Sequence, residues 1–162
     1  MKLFIRRSTD ASGCLFVLYD ESGNEKYRVF RKAFKLMPIA SYKIADVTGD
    51  TAAKIRRLPF VGAKTFALKA NRSRVNLVLL PTQQGVYATF YGNNWHVNGN
   101  IAAKNFSVID VDKTEVFRHI RHSRYGELEI FDEENELLCV AAAICINLLN
   151  TVEKHALKAA NV

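Results

Sequence analysis

The segment "DEENELLCVAAAICINLLN", residues 132–150, decides the fold because it places an acidic start before a long apolar run. Between Leu137 and Leu149 only Asn147 is polar. A helix over Leu137–Ile146 would be apolar on every side, which is typical of helices buried in a protein core or in a membrane. The thirteen residues from 137 to 149 rise only about 20 Å, whereas a bilayer core is about 30 Å thick. The sequence therefore predicts a buried core helix and no transmembrane span.

The predicted core helix covers about 133–157. Asp132 can cap its N-terminus, and Glu133 and Glu134 suit the positive end of the helix dipole. Ala141–Ala143 keep the helix thin enough to be surrounded closely. Beyond the all-apolar run, apolar residues recur at three- and four-residue spacing, so the helix is expected to end as an amphipathic surface helix.

Before residue 132 the chain alternates apolar and charged residues in short segments, as strands with one buried face do. In "EKYRV", for example, Tyr27 and Val29 alternate with Lys26 and Arg28. The predicted strands are 25–29, 53–56, 127–130, Cys14–Tyr19, Phe66–Ala70, Val75–Leu80, Val86–Tyr91, Trp95–Val97, Phe106–Ile109 and Glu115–Ile120. So many short strands favour an antiparallel barrel or sandwich, and the apolar helix that follows is predicted to plug a barrel. The whole chain, 1–162, is predicted to be a single domain.

A weak internal repeat marks the hairpin turns. Asp at the first place and Gly at the fourth place of a turn favour a type I turn closed by a left-handed residue. The pattern occurs at Asp20 and Asp46, is degraded at Asp110 because Lys113 replaces the Gly, and is last suggested at Asp132. Further turns are predicted at Gly92–Asn94 and Asn98–Asn100.

The order of these motifs resembles a known family. The segments "FVLYDESGNEKYRV", "IADVTGDTAAKIRR" and "WHVNGNIAAKNFSVID", followed by an apolar helix, are similar to the LURP-one-related family. This family is part of the tubby C-terminal-like superfamily, which also includes the phospholipid scramblases. The likeness runs from about Leu15 to Leu149.

The resemblance implies a closed antiparallel barrel of about twelve strands wrapped around a buried C-terminal helix. In the tubby branch, basic residues on one side of the barrel hold phosphoinositide headgroups. Two positions depart from the family pattern. Asn147 stands where relatives often have an acidic residue, and Lys113 replaces the glycine of the third hairpin.

The cysteines and the N-terminus indicate where the protein resides. No two of the three cysteines, Cys14, Cys139 and Cys145, form a C-x-x-C pair. They are interpreted as buried hydrophobic residues in a reducing compartment. "MKLFIRRSTD" has only Leu3–Ile5 as an apolar core, whereas a signal peptide needs about 7–15 apolar residues. The expected location is the cytoplasm, with peripheral membrane association as an option.

Enzyme chemistry finds no support in the sequence, which contains no phosphate-binding glycine loop, nucleophile elbow or metal motif. His119 and His122 are predicted to be exposed residues at a strand end and not metal ligands. The acidic residues 132–136 are interpreted as a helix start and not as a cation site. No cofactor, metal or catalytic residue is predicted, and the expected protein is not an enzyme; scramblase-like handling of lipid remains an alternative.

The net charge of +7 is unevenly distributed. Between Lys26 and Arg74 there are thirteen Lys or Arg and two acidic residues, so this segment has a charge of +11 and the remainder has −4. Such asymmetry indicates an anionic partner. The candidate anion-binding residues are Lys26, Arg28, Lys54, Arg56, Arg57, Lys69, Arg72 and Arg74.

Three functions are compatible with this basic segment. The first hypothesis is a non-enzymatic module that binds anionic phospholipid or phosphoinositide headgroups at a membrane surface. The second is a structural or protein-interaction domain with an acidic partner. The third is nucleic-acid binding, which is disfavoured because no recognition helix or stacking platform can be assigned. A basic face that only aids solubility is the alternative to all three, and the oligomeric state is left open.

Overall fold

Twelve short strands precede one long helix in this computed structural model, which describes residues 1–32, 40–60 and 62–160. The strands are β1 Lys2–Arg7, β2 Cys14–Tyr19, β3 Glu25–Lys32, β4 Ser41–Asp46, β5 Thr51–Leu58, β6 Lys64–Ala70, β7 Ser73–Thr82, β8 Gly85–Tyr91, β9 His96–Asn100, β10 Asn105–Ile109, β11 Glu115–Arg121 and β12 Gly126–Ile130. Ten of them overlap the predicted segments, and β1 and β4 are additional.

The strands form one antiparallel sheet in the order β8-β7-β6-β5-β4-β3-β2-β1-β12-β11-β10-β9. Strands that follow one another in the chain are paired, and β1 pairs with β12, so the sheet curls around on itself. β8 and β9 meet as neighbours at the seam, although no ladder of hydrogen bonds joins them among the described residues. The predicted antiparallel barrel is confirmed, and its closure is nearly complete.

The helix α1 is Glu136–Ala160, and its residues 138–149 fill the interior of this barrel. Leu138–Leu149 are all buried, and Ala141–Ala143 have no exposed surface. The inward faces of the strands cover the helix with apolar side chains, and each buried Leu or Ile contributes about 1.5–3 kcal/mol. The predicted core helix is therefore confirmed, and its three alanines allow the strands to approach it closely.

The start of the helix differs from the prediction. A 3-10 helix, Glu133–Asn135, precedes α1, which begins at Glu136. Asp132 makes no capping hydrogen bond to the helix, because its Oδ2 accepts a hydrogen bond from Asn135 Nδ2 at 2.8 Å. The expectation that Asp132 caps the helix is wrong. The predicted amphipathic part of the helix involves side chains after Leu149, which lie outside the described residues.

Three hairpins share the predicted Asp turn. In each, the Asp Oδ1 accepts hydrogen bonds from the N–H groups two and four residues later, and the Asp carbonyl oxygen accepts one from the N–H three residues later. The turns start at Asp20, Asp46 and Asp110. Their fourth residues have positive φ, at 80° for Gly23, 90° for Gly49 and 63° for Lys113. The degraded third copy is thus confirmed, with a lysine in a left-handed conformation.

The turn predicted at Asn98–Asn100 is wrong, because these residues belong to β9. Gly99 has φ of 108°, and a Cβ at this position would lie 2.7 Å from the Asn105 carbonyl oxygen and 2.8 Å from the Phe106 Cα. The glycine is needed because β10 passes very close to it. The chain instead turns at residues 101–104.

The two ends of the barrel differ in charge. We call the end where α1 begins the top, and the opposite end the bottom; odd-numbered strands run from top to bottom. The three Asp turns and Glu136 lie at the top. Several strands have a basic residue at their bottom end, two residues from an inward-facing residue and on the same face of the strand. These are Arg7, Arg31, Arg57, Lys64 and Arg121.

Candidate anion-binding site

Four neighbouring strands place basic side chains side by side on the outside of the barrel. The register pairs Lys43 of β4 with Lys54 of β5. Lys54 also pairs with Lys69 of β6, and Lys69 pairs with Arg74 of β7. Because neighbouring strands are about 4.8 Å apart, the four positions extend about 14 Å across the sheet. We call these four residues the cationic row.

The cationic row is largely exposed and has no acidic partner among the described residues. Lys54, Lys69 and Arg74 are exposed, and the half-buried Lys43 donates from Nζ to the Gly49 carbonyl oxygen at 3.1 Å. In the described part of the chain, none of the four forms an ion pair with a carboxylate. Like charges directly opposite each other destabilise a sheet by roughly 0.2–1 kcal/mol per pair. An anion bound across the row would remove this repulsion.

One further cation and one exposed tyrosine border the row. Arg56 is exposed on the same face of β5, one step toward the bottom, and it is opposite Ser41 and Ala67. On β8, Tyr91 is 58% exposed and is opposite Asn76, two residues from Arg74. Tyr87 is 56% exposed but is opposite Leu80, farther from the row. Tyrosine combines an apolar ring with a polar hydroxyl, so it suits the boundary between water and lipid.

Lys26 and Arg28 are not counted in the row, because acidic neighbours neutralise their charges. The Lys26 Nζ is 2.7 Å from Glu136 Oε1. Arg28 binds the Glu25 carboxylate through Nε at 2.9 Å and Nη2 at 2.8 Å, and it is 3.8 Å from Asp10. The hydrogen bonds that Arg28 donates to the Glu25 carboxylate raise the pKa of Arg28 above its ordinary value. These ion pairs leave both cations less available to an external anion.

The two remaining predicted residues occupy other places. Arg57 is opposite Phe66 on β6 and follows the buried Ile55 by two residues. It therefore lies on the inward face, near the bottom. Arg72 is exposed in the turn between β6 and β7, next to the end of the row. The structure thus brings together Lys54, Arg56, Lys69 and Arg74, with Arg72 close by. It adds Lys43, and the binding role of these residues stays a prediction.

A second basic region, which the sequence analysis does not identify, surrounds a cavity of about 200 Å³ at the bottom of the barrel. It is lined by Ile5, Arg7, Phe16, Arg121, Ser123, Arg124, Tyr125 and Asn147. Three of these are arginines and none is acidic. All three arginines lie outside the basic segment 26–74, so charge counting along the chain could not find them. The sequence does contain one sign of this region. In β1 and β11 a basic residue takes the inward position after two buried inward-facing residues.

A buried polar cluster lies beside this cavity, and it corrects the prediction for His119. This histidine is fully buried, because it lies two residues after Phe117 on β11 and shares its inward face. Its Nδ1 is 2.7 Å from the Lys104 carbonyl oxygen, and its Nε2 is 3.1 Å from Asn147 Nδ2. Since the carbonyl oxygen can only accept, Nδ1 carries the proton and Nε2 accepts from Asn147. His119 is therefore an interior residue in a defined neutral form.

Burial lowers the pKa of His119 to about 4, more than the hydrogen bond to Lys104 raises it. Nearby Lys104 and Arg121 also disfavour the protonated ring. Asn147 is 3% exposed, donates a second hydrogen bond to the Ala143 carbonyl oxygen at 2.9 Å, and accepts one on its own carbonyl from Lys104 Nζ at 3.1 Å. The three side chains thus hold one another in place.

Other reactive groups do not converge. No group of three or more His, Cys, Asp or Glu side chains comes together among the described residues. Cys14, Cys139 and Cys145 are free and buried, which agrees with their interpretation as hydrophobic residues, and burial raises the pKa of Cys139 and Cys145 well above the ordinary thiol value. His122 Nε2 is 3.1 Å from Glu127 Oε2. Over the part of the chain searched, which is the described part, no helix has the length and apolarity to cross a membrane.

Comparisons with known proteins agree with this architecture. The sequence model of the LURP-one-related family matches residues 1–147. A protein of known X-ray structure from Arabidopsis thaliana has a similar fold, with a TM-score of 0.53 at 12% sequence identity over 88% of this chain and 91% of that chain. At this identity the likeness is one of fold alone. A comparison with curated proteins finds no match.

Proposed function

The chain belongs to the LURP-one-related family, and we propose that it is a non-enzymatic binding module that holds anionic phospholipid or phosphoinositide headgroups on the cationic row. The observation that supports this proposal is the alignment of Lys43, Lys54, Lys69 and Arg74 across four strands without an acidic partner among the described residues. Arg56 enlarges the same face.

The chemistry of the row suits phosphate groups on a surface. Lysine acts as a compact point charge toward phosphate, and arginine can donate two parallel hydrogen bonds. Each basic residue close to an anionic membrane contributes about 1 kcal/mol, so four or five together suffice for reversible recruitment without an anchor. Because the row extends across four strands on the outside of the barrel, it fits an array of headgroups better than a single small molecule. Tyr91 on the adjacent strand would lie at the level of the headgroups.

Vesicle co-sedimentation at physiological salt tests the proposal. The purified protein is mixed with neutral phosphatidylcholine vesicles, or with vesicles that also contain phosphatidylserine or a phosphoinositide. We expect binding only to the anionic vesicles, with the phosphoinositide vesicles strongest because each headgroup has several phosphate charges. An excess of duplex DNA is added in parallel. Loss of vesicle binding on DNA addition would favour a general polyanion site over a lipid site.

Charge-reversal variants assign the binding to the row. Lys54→Glu with Lys69→Glu should reduce binding to anionic vesicles at least tenfold, since it changes the local charge by four units. The matched control is Arg121→Glu with Arg124→Glu, which makes the same charge change at the bottom of the barrel and should retain most of the binding. Both pairs are exposed, so their thermal transitions should stay near that of the unmodified protein. Equal loss in both variants would show that net charge, and not the row, drives binding.

A further inference from the structure

The cavity at the bottom of the barrel combines three chemical features. Arg7, Arg121 and Arg124 line it, and the Arg7 guanidinium is 5.7 Å from the centre of the Phe16 ring. Ile5 and Phe16, which are 3% and 4% exposed, supply an apolar wall. The buried polar cluster contributes Asn147 to its lining.

Asn147 presents an acceptor to this cavity. Both hydrogens of its Nδ2 are engaged, one by the His119 ring and one by the Ala143 carbonyl oxygen. These two bonds fix the orientation of the carboxamide. Among the described residues no hydrogen bond to its Oδ1 is found. Because Asn147 lines the cavity, the lone pairs of this amide oxygen can accept a hydrogen bond from a ligand hydroxyl.

We propose that this cavity binds a small phosphate monoester that has a free hydroxyl group, of the glycerol 3-phosphate type, with Arg121 and Arg124 on the phosphate and the Asn147 Oδ1 on the hydroxyl. Arginine matches the geometry of phosphate oxygens by donating paired hydrogen bonds. The apolar wall of Ile5 and Phe16 packs against the carbon skeleton. The three parts of the ligand therefore each meet a side chain of the corresponding chemistry.

The size of the cavity limits the ligand. Sites for drug-sized molecules are about 300–1,000 Å³, whereas this cavity is about 200 Å³. A phosphate monoester with a few carbon atoms fits this space, and a nucleotide does not. The hydroxyl distinguishes the expected ligand from inorganic phosphate, which would leave the Asn147 oxygen without a partner.

This site is independent of the proposed lipid surface. Its residues come from β1, β2, the segment around the β11–β12 turn and α1, whereas the row lies on β4 to β7. The two sites can therefore be removed separately. A phosphate monoester can be a soluble metabolite or the headgroup of a lysophospholipid, and the two sources share the chemistry that the cavity recognises.

Titration of the ¹⁵N-labelled protein with glycerol 3-phosphate tests the site, because the Asn147 side-chain amide reports directly on the cavity. We expect saturable shifts of this amide, weaker binding of inorganic phosphate and no effect of glycerol. Arg121→Gln with Arg124→Gln should weaken glycerol 3-phosphate binding at least tenfold. Lys54→Gln with Lys69→Gln is the matched control and should leave it unchanged. Both variants replace exposed side chains and are expected to fold.

The source of the phosphate is decided by vesicles of phosphatidylcholine that contain lysophosphatidic acid, which presents the same glycerol phosphate on a lipid. Recruitment that disappears in the Arg121→Gln, Arg124→Gln variant supports a lipid headgroup as ligand. Shifts with glycerol 3-phosphate but no such recruitment support a soluble ligand. The proposal is overturned if glycerol 3-phosphate causes no saturable shift of the Asn147 amide up to about 10 mM, or if the row variant abolishes the shift and the cavity variant does not. Equal affinity for inorganic phosphate would overturn the role of the Asn147 oxygen.

Discussion

The upper and lower parts of the barrel interior are equally buried but are filled in different ways. Around Ala142, which is 0% exposed, helix and strands contribute only apolar side chains. Toward the bottom, Lys104, His119 and Asn147 are 3%, 0% and 3% exposed and bond to one another. The difference teaches that this interior accepts polar groups where neighbouring elements supply partners. Where the surrounding side chains are all apolar and the backbone N–H groups are used in the hydrogen bonds of helix and strands, the interior has no donor to offer a carboxylate.

A charge placed in the upper interior should be the most damaging change. Ala142→Asp would bury a carboxylate without a partner, at a cost of several kcal/mol, which is comparable to the whole stability of a domain of this size. We expect no cooperative thermal transition and little soluble protein. Ala142→Ser is the control, since its hydroxyl can bond to a helix carbonyl oxygen and it should melt cooperatively. A soluble, cooperatively melting Asp variant would break both the comparison and the description of α1 as a buried plug.

Acid should destabilise the protein through the lower interior. In the unfolded chain, His119 binds a proton near its ordinary pKa of 6.5. In the folded protein, burial lowers the pKa of the ring to about 4. The contribution of this residue is therefore fully present above about pH 6.5 and is lost as the pH falls to about 4, by about 3 kcal/mol in total. Urea unfolding at pH 7 and pH 5 measures about half of this loss.

His119→Gln is the matched control for the pH experiment. A glutamine can donate to the Lys104 carbonyl oxygen and accept from Asn147, as the neutral imidazole does, but it does not titrate. The variant should lose much less stability than the unmodified protein between pH 7 and pH 5. Identical pH dependence in both proteins would contradict the assignment of this loss to His119.

Gly126→Ala should disturb the lower interior by a smaller amount. The added Cβ would lie 2.6 Å from His119 Nε2 and 3.1 Å from Cε1, so the ring would have to shift away from Asn147. We expect a loss of about 1–3 kcal/mol in the free energy of unfolding by urea. In the background of His119→Ala the same glycine substitution should cost far less, because the ring that it meets is gone. Equal costs in both backgrounds would contradict this contact.

The smallest expected effect concerns the turns at the top. Lys113 has a φ of 63°, in a place where the two other Asp turns have glycine. Lys113→Gly should relieve this conformation and raise stability by about 0.5 kcal/mol, because part of the gain is offset by the greater freedom of glycine in the unfolded chain. Gly49→Lys is the converse change and should lower the melting temperature. A lower melting temperature for Lys113→Gly would show that the lysine side chain contributes more than its backbone strain costs.

The barrel and its plug could be predicted because each depends on local pattern. Segments 25–29, 53–56 and 127–130 alternate clearly, and the run after Leu137 cannot be a surface helix. β1 and β4 escape the prediction because each has a short run of adjacent apolar residues, Leu3–Ile5 and Ile44–Ala45, in place of an alternating pattern. The shift of the helix start to Glu136 depends on the geometry of a single 3-10 turn, which residue preferences do not determine.

The candidate site could be predicted only in part. Composition indicates the basic segment, and the hairpins at Asp46 and Asn71 bring Lys43, Lys54, Lys69 and Arg74 into register once β4 is known. The neutralisation of Lys26 by Glu136 joins residues that are far apart in the chain. The bottom cavity likewise joins residues from Ile5 to Asn147. Such contacts follow from barrel closure and have no local sequence pattern.

The position of the helix after all twelve strands in the chain has a consequence for biosynthesis. During translation the strands leave the ribosome first, and their inward faces have no apolar partner until residues 138–149 have also emerged. The growing chain therefore exposes a complete set of strand edges and apolar faces at a stage when it cannot yet bury them. Folding then has to join a helix made after all twelve strands with contacts from strands along the chain, which is slow and exposes the nascent protein to aggregation. The same feature that gives the finished barrel its core leaves the unfinished chain without one.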